Sequence, residues 1–296
     1  MLTIVKTIIL GIIEGITEWL PVSSTGHLIL FGDLLRMDMS EAFMELFNVV
    51  IQLGAILAVV LLFFRRLWPF RGRGDVAAES QFAHASDGAA GRFQRFADRR
   101  LYMDKIILWL KIAVSVLPSV VIGLPLDDWL DEHLYRPVPV AVMLILYGIL
   151  FILIENRNSG RRPRVTSVRR ITWRDALIIG MFQCLALIPG TSRSGATILG
   201  GILIGLSRTC AAEYTFFLAI PTMLGASLLK AVKYGMALTG KEALVLLIGC
   251  AVAFAVSLAT IRFLMDFVRR HDFKPFAYYR IALGAAVLAA AFFGAA

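Results

Sequence analysis

Long apolar runs, separated by short polar segments, make up most of this chain. Six of these runs are long enough to cross a hydrocarbon core as α-helices, which takes about 20 apolar residues. The predicted spans are residues 43–64, 105–124, 138–154, 211–230, 243–264 and 275–293. Because the sequence has no run of alternating apolar and polar residues, the pattern predicts an all-α polytopic membrane protein and not a barrel.

Two further apolar stretches are each broken by a proline. Residues 1–36 contain two short apolar segments that meet at Pro21, and residues 175–207 contain two that meet at Pro189. None of these segments is long enough to span comfortably. Each stretch therefore predicts a re-entrant helical hairpin. Its turn must lie in protein or beside a wet cavity, because irregular backbone is not tolerated in lipid.

The order of these elements indicates a duplication. Residues 1–154 and 175–296 each contain one hairpin followed by three spans, and a basic linker at 155–174 joins them. The matching positions are Gly11 with Gly180, Glu14 with Gln183, Gly26 with Gly195, and Leu53-Gly54-Ala55 with Leu224-Gly225-Ala226. Repeats of this kind place paired broken helices at a site near the middle of the membrane.

Charge in the connecting segments orients the two halves. The linker and the polar loop at 67–104, which we expect to be flexible, are rich in arginine and are predicted to be cytoplasmic. An acidic link at 125–137, with Asp127, Asp128, Asp131 and Glu132, then lies outside. The two hairpins enter from opposite faces, so the fold is predicted to be an inverted-topology repeat.

Composition excludes several classes of protein. The chain is 58% hydrophobic and 17% charged, which is unlike an ordinary soluble domain. The net charge is +9, and the basic residues are in the loops, as the positive-inside rule predicts for cytoplasmic segments. No nucleic-acid partner is therefore expected. The three cysteines lie singly in apolar runs and predict neither a disulfide nor a metal site. Acidic residues interrupt the first apolar run, so we expect it to be retained and not cleaved as a signal peptide.

The first hairpin carries groups that are rare at membrane depth. Glu14 and Glu18 are four residues apart and share one helical face. Such charges cost roughly 2.5–3.5 kcal/mol each on insertion and usually face a partner or a cavity, although snorkelling to the surface is the alternative. The hydroxyls of Ser23, Ser24 and Thr25 precede a helix, where one can cap it and the free N–H groups suit an anion.

His27 and the second hairpin extend this chemistry. His27 lies three residues after Ser24 and can act as a general acid or base, or can simply pack in the helix. Arg193 has a planar guanidinium that matches a phosphate bidentately; a structural ion pair with a glutamate is the alternative. The second turn also offers hydroxyls and a glycine for close backbone approach, at Thr191, Ser192, Ser194, Gly195 and Thr197.

Together the hairpins predict a site for a phosphate or diphosphate head group. Ser24 can be the nucleophile, with His27 or Glu18 as its base, or a water molecule can take that place. Two glutamates would repel the anion, so they imply either a bridging divalent cation or a proton. The predicted catalytic residues are Glu14, Glu18, Ser24, His27 and Arg193, and the predicted phosphate-binding residues are Ser23, Thr25, Gly26, Thr191, Ser192, Ser194, Gly195 and Thr197.

Two long motifs at these positions carry a family resemblance. Glu14 and Glu18 are followed by Pro-Val-Ser-Ser-Thr-Gly-His at 21–27, and Pro-Gly-Thr-Ser-Arg-Ser-Gly-Ala-Thr occupies 189–197. The chain resembles the undecaprenyl-diphosphate phosphatase family of the bacitracin-resistance type over nearly its whole length. The segment at about 71–100 is where it looks least like that family.

The resemblance implies a function and a location. It implies hydrolysis of undecaprenyl diphosphate to undecaprenyl phosphate and inorganic phosphate, which recycles the lipid carrier for cell-wall synthesis, in the cytoplasmic membrane of a bacterium. With the carboxylate pair it also implies a divalent cation, Mg²⁺ or Ca²⁺, held by Glu14 and Glu18. Whether the protein acts as a homodimer stays open.

Two other functions compete with this one. Inverted repeats with broken helices are also transporter architecture, so a transporter or flippase of an anionic lipid is the main alternative. A phosphatidic-acid-phosphatase type of enzyme is disfavoured because residues 195–203 contain neither the histidine nor the aspartate of that class.

Overall fold

The regular secondary structure of this chain is helical. A computed structural model describes residues 2–35, 37–71, 101–235 and 238–293, and within these ranges it contains two isolated β-bridges but no strand. The helices are α1 Leu2–Thr17, α2 Ser24–Leu35, α3 Glu41–Leu62, α4 Met103–Leu134, α5 Pro137–Asn158, α6 Trp173–Cys184, α7 Arg193–Leu203, α8 Arg208–Tyr234, α9 Gly240–Arg270 and α10 Lys274–Phe293. Shorter turns of helix occupy Phe64–Leu67, Val168–Arg170 and Leu185–Leu187.

Six of these helices are long and apolar enough to cross a membrane. They are α3, the Met103–Leu126 part of α4, and the whole of α5, α8, α9 and α10. The predicted all-α polytopic class is confirmed. Most of the predicted polar loop at 67–104 lies outside the described residues.

Polar side chains mark where several helices begin. Ser40 and Ser207 each accept a hydrogen bond from the N–H three residues later, at the starts of α3 and α8. Thr172 and Thr239 form reciprocal capping boxes at the starts of α6 and α9. Each cap satisfies an N–H that has no partner inside the helix, typically worth about 1 kcal/mol.

The helix α4 extends furthest beyond its predicted span, which was 105–124. α4 continues through most of the acidic link at 125–137 and ends at Leu134, with Pro118 and Pro125 inside it. Proline is tolerated in membrane helices because neighbouring groups satisfy the freed carbonyls. The helix ends only where Arg136 precedes Pro137, since a residue before proline avoids the helical region. The acidic side chains of this link lie outside the described part of the chain.

Glycines allow the short helices to pack closely against long ones from the other half. α1 lies along α9, where a Cβ on Gly15 would come within 2.9 Å of the Ala253 carbonyl oxygen. In the same way α6 lies along α4, where a Cβ on Gly180 would come within 2.4 Å of the Ser115 carbonyl oxygen. The first helix of each half thus packs on the fourth helix of the other half. The inversion of the halves across the membrane stays a prediction.

The second hairpin lies at the centre of the molecule. α7 is buried from Ser194 to Ile202, and it packs against α8 around the fully buried rings of Tyr214, Phe216 and Phe217. Large apolar side chains such as Leu57 are exposed on the outer helix faces, where a membrane protein contacts lipid. A site built on α7 therefore lies within the helix bundle and not on its lipid-facing surface.

Candidate active site

The turns of the two hairpins share an unusual backbone conformation. Ser23 and Ser192 have φ of 71° and 69°, and within the described ranges they are the only non-glycine residues with positive φ. They are 169 positions apart, as are Gly11 and Gly180. Such a conformation costs about 1–3 kcal/mol per residue and is concentrated at functional sites. The strain therefore singles out equivalent positions in the two turns.

Arg193 connects the second turn to the first. As the first residue of α7, it places its Nη2 2.8 Å and its Nε 3.3 Å from Oε1 of Glu18. Its Nη1 donates to the Thr215 carbonyl at 3.1 Å, and the guanidinium lies 5.9 Å from the centre of the Trp19 ring. Both charged side chains are largely buried, at 12% and 9% exposure. The ion pair considered from the sequence is present, and it joins the two hairpins.

Glu14 lies one helical turn before Glu18 and is also buried. Its carboxyl adjoins that of Glu18 and the amide of Gln52, which is on α3. Its Oε1 makes no hydrogen bond to any described residue. A buried carboxylate oxygen without a partner costs about 1–3 kcal/mol or more, so this atom is suited to receive a proton or a cation.

A cavity of about 240 Å³ lies between the two turns. Glu18 and Arg193 line it together with the hydroxyl-bearing residues Ser24, Thr25 and Ser192. The remaining lining residues are Thr17, Ser23, Gln52, Ala186, Pro189, Gly190, Thr222, Met223 and Ala226. The cavity brings a guanidinium, a carboxylate and several hydroxyls from both hairpins into one space.

The other predicted phosphate-binding residues lie off this cavity. The hydroxyl of Ser194 donates to the Leu20 carbonyl at 3.2 Å, and that of Thr197 donates to the Arg193 carbonyl at 2.9 Å. The Ser194 hydroxyl therefore joins the two hairpins, whereas the Thr197 hydroxyl bonds within α7 and accepts from the Thr215 hydroxyl of α8 at 2.9 Å. Thr191 is fully buried, and its hydroxyl has no partner among the described residues.

The two predicted glycines also lie off the cavity and serve close packing. A Cβ on Gly26 would come within 2.8 Å of the Leu144 side chain, and one on Gly195 within 3.1 Å of Arg280 Nη1. The N–H of Gly195 donates to the Ser192 hydroxyl at 3.2 Å, which caps α7. Their role as phosphate ligands stays a prediction.

His27 is directed toward α10 and not toward Ser24. Its Nδ1 lies 2.8 Å from the Ser23 carbonyl oxygen, which can only accept, so this nitrogen carries the proton. In the neutral ring, Nε2 then accepts from the Tyr279 hydroxyl at 2.6 Å. No hydrogen bond joins His27 and Ser24 in the described structure. The geometry favours a role in holding the Ser23 backbone in its strained conformation.

Several residues of the site were not singled out from the sequence as functional. Gln52 and Thr222 line the cavity, Tyr279 holds His27, and Arg280 is buried against both turns. Arg280 could have been identified from the sequence, because it is the one charged residue inside the predicted span at 275–293, and charges at such positions are usually functional. The sequence indication for Gln52 was weaker: it is an uncharged amide in an apolar run.

The site is suited to an oxygen-coordinated divalent cation. The carboxylates of Glu14 and Glu18, the Gln52 amide and nearby hydroxyls are all hard oxygen donors, the kind that Mg²⁺ and Ca²⁺ prefer. Within the described residues no group of three acidic, histidine or cysteine side chains could hold a metal. A cation here would therefore need amide, hydroxyl, water or substrate oxygens in addition to the two carboxylates.

The fold and this site define a class of protein: a polytopic membrane protein with a cavity lined by Arg193, Glu18 and hydroxyl-bearing residues between two helical hairpins. The family model described as bacitracin resistance protein BacA matches residues 7–286. The chain belongs to this family.

Curated relatives match the chain over almost their full length. An undecaprenyl-diphosphatase of Enterococcus faecalis is 53% identical over 96% of each chain. One from Latilactobacillus sakei is 50% identical over 98% of each, and one from Acetivibrio thermocellus is 50% identical over 97% of each.

Proposed function

We propose that this protein hydrolyses undecaprenyl diphosphate to undecaprenyl phosphate and inorganic phosphate in the cytoplasmic membrane of a bacterium. The names of its relatives support the substrate, and the family supports a role in lipid-carrier recycling for the cell wall and in bacitracin resistance. The observation that carries the mechanism is the shared cavity of Ser24, Glu18 and Arg193. In phosphoryl transfer Ser24 would supply the nucleophile, Glu18 a carboxylate that accepts its proton, and Arg193 the positive charge that binds the phosphoryl group.

In this mechanism Arg193 binds the terminal phosphoryl group. Its fork donates to Glu18 in the structure, and an entering diphosphate competes for the same N–H groups. In the transition state the three equatorial oxygens share the charge of the transferring phosphoryl group, and a guanidinium fixed beside them stabilises that charge. The first-turn N–H groups of α2 and α7 add partial positive charge near the two turns.

Ser24 is the proposed nucleophile because it lines the cavity. The proposed base is a carboxylate and not His27, because the His27 ring is hydrogen-bonded to Tyr279. Its oxygen attacks the terminal phosphorus, its proton passes to a carboxylate of the Glu14–Glu18 pair, and the bridging P–O bond breaks to release undecaprenyl phosphate. A water molecule then attacks the phosphoserine, giving inorganic phosphate and free Ser24. In the alternative sequence, water attacks the substrate directly.

A divalent cation is part of the proposal. Glu14 and Glu18 would hold it, with Gln52 nearby, and when bound it would neutralise the charge that the two carboxylates present to the diphosphate. The unpartnered Oε1 of Glu14 supports this assignment. Mg²⁺ and Ca²⁺ both suit the donor set.

The test is phosphate release from undecaprenyl diphosphate by the detergent-solubilised protein, where no gradient exists. We expect release that needs a divalent cation and stops in Ser24→Ala. Acid quenching during turnover should leave labelled phosphate on Ser24 when the terminal phosphorus carries the label. No release with metal present would refute the enzyme and favour the transport alternative, while release without a labelled serine would favour water as nucleophile.

A further inference from the structure

Arg280 is a fully buried charge that the proposed mechanism does not use. It lies in α10 with 0% exposure. In the described part of the chain no carboxylate pairs with it, and all of its hydrogen bonds go to backbone carbonyls. An isolated charge is expensive to bury unless hydrogen bonds compensate it, so these backbone carbonyls are what stabilise the guanidinium here.

The carbonyls belong to equivalent positions of the two catalytic turns. Nη1 donates to the Pro21 carbonyl at 3.1 Å, and Nη2 donates to the Gly190 carbonyl at 2.9 Å. Pro21 and Gly190 are 169 positions apart, and each lies two residues before the strained serine of its turn. A second bond from Nη2 reaches the Thr191 carbonyl at 2.9 Å. One guanidinium therefore binds the same point of both hairpins.

The packing of α5 against α10 explains why a single residue can do this. A Cβ on Gly148 would come within 2.9 Å of the Ala277 carbonyl oxygen, and one on Gly284 within 2.9 Å of the Ala141 carbonyl oxygen. These reciprocal contacts relate positions 136 apart, and the same offset relates Arg280 to Leu144.

Arg280 therefore lies where the two related helices cross, between the two turns. Its Nε is 3.4 Å from the Leu144 carbonyl oxygen. Its charge also faces the Tyr147 ring, 5.5 Å from the ring centre. Two arginines related by the repeat would place like charges together here, so only one half supplies the group.

We propose that Arg280 is a positioning residue that fixes the spacing of the two turns and holds both in their strained conformation. Through Ser23 it acts on the neighbouring Ser24, and through Ser192 it acts on Arg193. A misplacement of about 1 Å between such groups can cost about 100-fold in rate. The catalytic consequence rests on the proposed function, whereas the mechanical consequence does not.

The test is amide hydrogen exchange, followed by mass spectrometry, on the full chain in detergent. Arg280→Met should raise exchange in both turns, at residues 20–24 and 189–193, by about tenfold or more relative to the rest of the protein. Arg280→Lys keeps the charge but not the fork, so it should loosen the turns as well. Val287→Ala is the matched control: Val287 is fully buried in the same helix, in the small α5–α10 cluster.

Turnover by the same variants gives a second measurement. We expect kcat to fall about 100-fold in Arg280→Met, with a smaller change in KM. Val287→Ala should lower the melting temperature and leave kcat nearly unchanged. If Arg280→Met does not fold, Arg280→Lys decides.

Three outcomes would overturn the proposal: both turns protected as in the unaltered protein, exchange raised in one turn only, or exchange raised evenly along the chain. Because exchange needs no substrate, it decides on Arg280 even if the unaltered protein fails to hydrolyse undecaprenyl diphosphate. That failure alone would count against the proposed function.

Discussion

The ion pair between Arg193 and Glu18 has two separable effects, on stability and on turnover. Four proteins distinguish them: the unaltered chain, Arg193→Met, Glu18→Gln, and the variant with both changes. The side chains are 12% and 9% exposed and their closest atoms are 2.8 Å apart. Each single change therefore leaves one charged group buried without its partner.

The structure sets the expected magnitudes. Breaking a buried ion pair by removing one partner costs about 3–5 kcal/mol, whereas replacing both partners with neutral groups is often close to neutral. The double variant should therefore regain most of the free energy of unfolding that Arg193→Met loses. Turnover should not recover, because a guanidinium that stabilises a transferring phosphoryl group is worth about 10³–10⁵ in kcat.

The assay combines chemical denaturation in detergent micelles with phosphate release from undecaprenyl diphosphate. Arg193→Ala should abolish turnover, and Arg193→Lys should stay strongly impaired, since an ammonium lacks the planar fork that fits phosphate. The Lys variant also controls for charge, because it retains a cation beside Glu18.

Two results would refute this reasoning. If the double variant regains activity together with stability, then Arg193 acts only by neutralising Glu18. If Arg193→Ala folds and hydrolyses at a nearly normal rate, the site is wrong.

Three further predictions test packing, the loop and the cation. Gly54→Ala should destabilise the protein by about 1–3 kcal/mol, because the new Cβ would lie 2.2 Å from a backbone oxygen of α9. Gly225→Ala is the matched control: a Cβ there would meet no atom within 4 Å, so thermal unfolding should show a neutral or slightly stabilising change. Deleting residues 72–98 should leave turnover in detergent intact, and loss of activity in a deletion that still folds would place the loop at the site. A chelator should stop phosphate release, and Mg²⁺ or Ca²⁺ should restore it; turnover that survives exhaustive chelation would remove the cation from the proposal.

Much of the fold was predictable because the thickness of the membrane fixes how long an apolar segment must be to cross it. A helix that crosses the hydrocarbon core needs about 20 apolar residues, and six such runs are visible in the hydropathy alone. Charges inside apolar segments are equally visible, since they are costly and rare. Glu14, Glu18 and Arg193 were found on that basis, and the structure places all three together.

The direction of individual side chains was not predictable in this way. His27 follows Ser24 by three residues, a spacing that suggested a catalytic pair, yet its ring reaches Tyr279, 252 positions away. Thr197 belongs to the same hydroxyl-rich motif as Arg193, but its hydroxyl bonds back into its own helix. Helical spacing places residues on a face, and packing against other helices decides what that face meets.

The sequence by itself determined the class of protein, the two hairpins and the residue types of the site, because hydropathy and buried charge depend on local composition. Only the tertiary structure decided how the hairpins meet. The contact of Arg193 with Glu18 joins residues 175 positions apart, and that of Arg280 with Pro21 joins residues 259 apart. Such contacts follow from the packing of α1 on α9 and of α5 on α10, which glycines permit but which no local pattern specifies.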